Sequence, residues 1–455
     1  MQTDHLYEAN FPAQHKIHDT DVSRLYQEQR FDELDAVIIC KDAAGAVTAT
    51  FSDCDWDCFP FSRKKANNNI RFTEFEQAST LQRELKLLTF GWLFNKSPKQ
   101  RKAASFSCVR TRVANLKIAY RFLAFNNLTS LAALSAPSQW QAFTAYLVDK
   151  EYSQSSIELC FIAINKAIEF ASWHQLTLGF TAPFKASVEA KKLCDRQQQQ
   201  TLVIPERLCD AIYGKAIDFI EEALPFRTLI AQTENALQDN YFEGKCTLDE
   251  KVTQGAMYTF LKTDGGIDYH KYGSALQANQ PHSVLDIIAP LAEKLPNIML
   301  NNGADFKRYL GQLITSSYIV CGGFSGMRDS ELDKLTPDSY YKDTFEGRDY
   351  HMLQSHTFKL GEKRETWVTA ASSKNAIELI STLTERWRSE VVYPDPKYTG
   401  SLWINHAARS KPPVLITNWS ARLQRFCKQL DMVVSEDDYQ ECLESNPRSL
   451  DKIKA

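Results

Sequence analysis

Apolar side chains at Val109, Val113, Leu116, Tyr120 and Leu123 recur at spacings of 4, 3, 4 and 3. This is the period of a helix buried along one side. Such a stripe needs other helices to cover it, and the next segments supply them. Ser135-Ala136-Pro137-Ser138 opens a second helix over Trp140 to Asp149, with proline near the first turn. A third helix begins after Ser153-Gln154-Ser155 and presents Ile157, Cys160, Phe161, Ile164, Ile168 and Ala171 on one face. Residues 104–177 therefore read as a compact helical domain.

The rest of the chain is organised around this core. Gln197 to Gln200 form a polar linker, and Leu202-Val203-Ile204-Pro205 begins a new unit with a helix over 206–224. Residues 225–305 are polar and weakly periodic, and read as an insertion or an added helical subdomain. From Tyr309 the period returns. Leu310, Leu313, Ile314, Tyr318 and Cys321 make a helical face that ends at Gly322-Gly323. Strand-like runs within Tyr350 to Val368 flank a turn at Gly361. Ile377, Ile380, Leu383, Trp387 and Val391 form another amphipathic helix, Ser401-Leu402-Trp403-Ile404 is a short apolar stretch, and Thr417 to Leu430 is a further helix. Residues 1–95 give weaker signals: a hairpin over Ala36 to Thr50 turning at Gly45, and a helix over Phe72 to Phe94.

At 455 residues the chain is too long for one ordinary domain. The expected divisions are 1–95, of unassigned role, 100–180, and 202–455 with an inserted region at 225–305. The expected fold class is mainly α with a small β component. Hydrophobic content of 44% and charged content of 24% are those of a globular chain rather than a disordered one. No apolar run is long enough for a membrane span and no apolar leader follows Met1. The expected setting is a cytoplasm that keeps the 11 cysteines reduced. Cys54 and Cys58 could be half of a metal site, but no second Cys/His pair with zinc spacing accompanies them, so no metal or other cofactor is expected.

Net charge is −3 and favours no partner, but its distribution does. From Leu85 to Val148 there is no acidic residue, although 56 of 455 residues are acidic and an even spread would place about eight there. The same stretch holds Lys99, Arg101, Lys102, Arg110, Arg112, Lys117 and Arg121. A second acid-free stretch, Lys397 to Leu430, carries Arg409, Lys411, Arg422, Arg425 and Lys428. Two basic segments in a near-neutral chain suit a polyanion, because cations on phosphates release condensed counterions. The competing reading is that acids from other segments neutralise them in space.

One constellation carries specific chemistry. In Ser325-Gly326-Met327-Arg328-Asp329-Ser330-Glu331-Leu332, a glycine-punctuated turn places Arg328 at the start of a new helical segment. A guanidinium there can aim its planar fork at a phosphate. Glu331, three residues on, shares its face and can orient it. The plainer reading is an incidental surface ion pair.

This segment resembles the first catalytic box of the tyrosine recombinase (phage integrase) family, where a small residue and glycine precede Arg-x-Ser-Glu-Leu. Thr357-Phe358-Lys359-Leu360-Gly361-Glu362-Lys363-Arg364 resembles that family's lysine-bearing β-hairpin, and residues 104–177 resemble its helical core-binding domain. The resemblance covers roughly residues 100–430. It implies a mixed α/β catalytic domain after the helical one, double-stranded DNA as partner, self-association on DNA, and strand exchange through a phosphotyrosyl link without a cofactor. Carried over by position, Arg328 holds the scissile phosphate, Lys359 is the general acid with Lys363 as runner-up, and Glu331 supports Arg328.

The family's later His-x-x-Arg and nucleophilic tyrosine are not found after the 417–430 helix. His406-Ala407-Ala408-Arg409 has the spacing but precedes that helix, and Tyr439 sits among Glu436, Asp437 and Asp438, whose charge opposes attack on a phosphate. The expectation is a catalytic domain incomplete at its C-terminus, one that binds DNA without cleaving it. The alternatives are a non-catalytic DNA-binding protein on the same scaffold, and a helical interaction scaffold.

Overall fold

The computed structural model describes residues 20–42, 45–61, 69–95, 104–194, 204–255, 258, 260–262, 266–357, 363–391, 393, 398–406, 409 and 411–444. Among the described residues it is mainly helical, 62% helix against 11% strand, with small antiparallel sheets. The chain divides into two compact units, Met1–Thr201 and Leu202–Ala455.

The first unit opens with α1 (Val22–Gln27) and α2 (Phe31–Asp35), followed by two small hairpins. Strands β1 (Ile38–Lys41) and β2 (Val47–Thr50) pair antiparallel, and Gly45 between them takes a left-handed φ of 86°, which suits a residue without Cβ. Strands β3 (Asp55–Asp57) and β4 (Asn69–Arg71) pair likewise. Helices α3 (Ser79–Phe94), α4 (Phe106–Phe125), α5 (Pro137–Asp149), α6 (Gln154–Glu169), α7 (Ala171–His174) and α8 (Ala186–Leu193) complete it. The sequence placed the start of α3 too early: residues 73–75 form a separate 3₁₀ turn.

Residues before 95 and after 104 share one hydrophobic core, in which Trp56, Phe72, Leu85 and Trp92 belong to the same cluster as Val109, Leu116, Phe143 and Phe161. The break expected near residue 95 therefore does not separate two cores. A buried carboxylate ties these parts together. Glu84 on α3 accepts hydrogen bonds from Tyr120 Oη (2.7 Å), Ser130 Oγ (2.5 Å) and the Leu131 N–H (2.7 Å).

The second unit contains α9 (Glu206–Ala223), α10 (Arg227–Thr253), α11 (Tyr269–Ala278), α12 (Val284–Lys294) and α13 (Gly303–Ser325). The short α14 (Asp329–Leu332) leads to a three-stranded antiparallel sheet, β5 (Tyr340–Phe345), β6 (Arg348–Thr357) and β7 (Lys363–Thr369), with β6 central. Then come α15 (Ser372–Arg388), the two-residue strands β8 (Ile404–Asn405) and β9 (Val414–Leu415), α16 (Trp419–Gln429) and α17 (Glu436–Glu444). The two ends of the 225–305 segment join the main core of this unit, while Leu248, Phe260 and Leu276 in its middle form a small cluster of their own. Ile230 and Leu237 of α10, with Ile288 and Leu291 of α12, belong to the same core as Phe306, Leu313, Ile380 and Trp403. The apolar period of α10 is weak because Thr233, Glu234, Gln238 and Asn240 are also buried.

The glycine pair that the sequence read as the end of a helix lies inside α13. A Cβ on Gly323 would fall 2.1 Å from the Tyr213 ring, and one on Gly322 would fall 3.0 Å from Leu332. Both glycines permit close packing. The helix ends instead at Gly326, with φ of 65°, a left-handed cap that strongly favours glycine. No described helix is long and apolar enough to cross a membrane.

Candidate phosphate-binding site

Gly326 turns the chain out of α13, and Ser325 Oγ accepts the Met327 N–H (3.2 Å). Arg328 then caps the four-residue α14. Tyr318 on α13 donates to Asp329 Oδ1 (2.6 Å) and stacks on Trp419, with centroids 3.6 Å apart. This seats the turn on the core.

Glu331 is the centre of the arrangement. Its side chain is 2% exposed and accepts three hydrogen bonds: from the Arg328 N–H (2.8 Å), from Arg328 Nη1 (2.8 Å) and from Thr357 Oγ1 (2.9 Å). Ser355 Oγ donates to the Glu331 carbonyl (2.6 Å). Burial alone would raise the carboxyl pKa, but these donors outweigh it and hold the group below its ordinary value. Glu331 is therefore an anion, and it fixes one edge of the Arg328 guanidinium. The rest of that side chain remains open to solvent, 57% exposed. An arginine held along one edge with its other donors free can take an oxyanion in a set orientation.

The same contacts bring the β6–β7 hairpin to this place. Thr357 ends β6, pairs with Lys363 across the ladder, and bonds Glu331. Lys363 pairs with Glu365 at 2.7 Å. Lys359, the expected general acid, and Gly361 lie outside the described residues. Arg328, Glu331 and the hairpin base therefore come together. Thr357 and Ser355, which sequence reasoning missed, complete the hold on Glu331. Their signal was faint: two hydroxyls alternating on one strand face just before the hairpin turn.

His406 and Arg409 engage a different carboxylate. Arg409 Nη2 bonds Glu234 Oε2 of α10 (2.9 Å), and His406 Nε2 lies 3.9 Å from Glu234 Oε1. The imidazole stacks on Trp387 at 5.0 Å. Burial, with help from Arg409 and Arg422, lowers its pKa to about 4, so it is neutral near pH 7. Burial pushes Glu234 up to about 7 against the pull of Arg409. Among the described residues no hydrogen bond or ion pair joins His406 or Arg409 to Arg328 or Glu331. Tyr439 is 40% exposed on α17, beside Asp438, which is bound by Arg207 (3.0 and 2.5 Å).

In the first unit the cations of α4 divide. Lys117 pairs with Glu74 at 2.7 Å, bonds the Arg71 carbonyl and is 12% exposed; Arg121 pairs with the same glutamate at 2.8 Å. Arg112 lies over the Trp92 ring at 5.0 Å, and burial lowers its pKa. Arg110 has no ion-pair partner among the described residues, and lines a surface cleft with Arg71, Asn69 and Asn115. Lys99, Arg101 and Lys102 lie outside the described residues. Part of the acid-free helix is thus neutralised in space by Glu74. Cys58 is buried, and Cys54 Sγ accepts from Gln82 Nε2 at 3.6 Å. Among the described residues no group of three or more His, Cys, Asp or Glu could hold a metal. Comparison with family models, curated proteins and solved structures gives no match to this chain.

Proposed function

We propose that the chain is a DNA-binding protein of the site-specific recombinase type, with Arg328 as its phosphate ligand and Glu331 as the residue that positions it. The observation that carries this reading is the pairing of an exposed guanidinium with a buried, ionised carboxylate at the base of a β-hairpin. An ion pair between two exposed side chains leaves both partners solvated. Here one partner is fixed by three donors and the other is left open. On this reading Lys359 reaches the same phosphate from the hairpin, and Arg110, with Lys99, Arg101 and Lys102, contacts the backbone from the first unit. Several copies would assemble on the duplex, in a cytoplasmic setting.

The resemblance assigns Arg328 to charge stabilisation in phosphoryl transfer. With His406 and Arg409 engaged on Glu234 and Tyr439 among acids, the reading is of binding without strand cleavage.

Fluorescence anisotropy with a labelled duplex, read between low and moderate salt, tests the proposal. Affinity that falls steeply with salt is expected; affinity indifferent to salt would leave the helical-scaffold alternative standing. A duplex nicked near the attacked bond separates binding from chemistry. No covalent adduct is expected, and an adduct lost in Tyr439→Phe would restore Tyr439 as a nucleophile.

A further inference from the structure

The second unit contains a cavity of about 410 Å³ between the first half of α13 and α16. Lys307 and Arg308 enter it from α13, Arg422 and Arg425 from α16, and His406 from the end of β8. Arg308 has an acidic neighbour, Asp305 Oδ1 at 3.3 Å. Lys307, Arg422 and Arg425 form no ion pair among the described residues. Glu234 lies behind His406, engaged by Arg409.

Two groups here lack a hydrogen-bond partner among the described residues. Arg422 is half-buried and has no hydrogen-bond partner among the described residues; burial and the neighbouring Arg425 both lower its pKa. His406 is 4% exposed, lines the cavity, and its Nδ1 has no hydrogen-bond partner among the described residues. A partly desolvated guanidinium without an anion is costly, and the cost is removed by a ligand that brings the charge. Gly311 adds room: a Cβ there would meet nothing within 4 Å, so the helix presents bare backbone to the cavity.

We infer that this cavity is a binding site for a phosphate-bearing small molecule, a phosphate monoester or a pyrophosphate group, held by Arg422, Arg425 and Lys307. The shape favours a small ligand over a duplex. Cations converge into a concavity of small-molecule size, whereas duplex backbone is best met by a ridge or an extended face. The site does not rest on the Arg328 reading. Arg328 follows the far end of α13, past Gly326.

Isothermal titration of the full chain with pyrophosphate, inorganic phosphate and sulfate tests it. Saturable binding of pyrophosphate or phosphate is expected, with sulfate weaker. Arg422→Gln is expected to weaken binding at least about tenfold, the loss of a charge-assisted contact. Gly311→Leu, which fills the cavity and keeps every cation, should weaken it as well. Three results would each overturn the assignment: no saturable binding of either phosphate ligand, equal affinity in Arg422→Gln, or sulfate bound as tightly as pyrophosphate. Displacement of pyrophosphate by a short duplex would assign the cavity to nucleic acid instead and would equally defeat it.

Discussion

Glu84 in the first unit and Glu331 in the second are both buried glutamates that accept three hydrogen bonds. Their donors differ. Glu84 is held by two hydroxyls and a backbone N–H, all neutral, and burial raises its pKa. Glu331 is held by a hydroxyl, a backbone N–H and a guanidinium, and its pKa is lowered. The first carboxylate is a peg that joins α3 to α4 and the turn at Ser130. The second is a charged anchor whose effect is exported to the surface through Arg328. Burial alone does not set the charge state of a carboxylate; the charge of its donors does.

The largest effect expected from breaking this comparison is on stability, in the first unit. Glu84→Ala strands Tyr120 Oη, Ser130 Oγ and the Leu131 N–H, and should cost about 3 kcal/mol. Urea denaturation followed by hydrogen exchange in α3 and α4 measures it, and DNA affinity per folded molecule should not change. Next is Glu331→Gln, which keeps the shape but removes the charge. A stability loss of about 2 kcal/mol is expected, read from exchange in β6, and here DNA affinity should fall too because Arg328 loses its orientation.

The pH responses should run in opposite directions. Glu84 binds its proton more tightly folded than unfolded, so its contribution grows as pH falls from its raised value toward the ordinary carboxylate range. Glu331 releases its proton more readily when folded. Its contribution is complete above the ordinary range and is lost as pH falls through its lowered value. Exchange rates in α4 and β6, followed from pH 7 downward, should diverge accordingly, and Glu84→Gln should flatten the α4 response alone. The smallest effect concerns the α4 cations. Lys117→Gln should cost about 1 kcal/mol of stability with little change in DNA affinity, whereas Arg110→Gln should do the reverse; equal effects on DNA binding would dissolve the distinction.

The sequence made α4 and α6 legible because each buries an apolar stripe, as at Val109, Val113 and Leu116, and α13 because Leu310, Leu313, Ile314 and Tyr318 keep the helical period although Thr315, Ser316 and Ser317 are buried beside them. It hid α10, where Glu234, Gln238 and Asn240 occupy buried positions and their partners come from distant segments such as Arg409 and His282. It also hid β5, whose hairpin turn uses Glu346 and Gly347, both at positive φ; glutamate does not announce such a turn as asparagine does. In the site, Arg328 and Glu331 are three residues apart, so their contact could be read locally. The contacts of Thr357 and Ser355 with Glu331 and of Lys117 with Glu74 span 24 residues or more, and no local pattern encodes them.

The most direct test of the account is the Arg328→Ala protein on a duplex, with affinity and footprint measured at several salt concentrations. Weaker binding is expected, with a salt slope reduced by about one phosphate contact and loss of protection at one backbone position. Unchanged affinity, slope and footprint would contradict it.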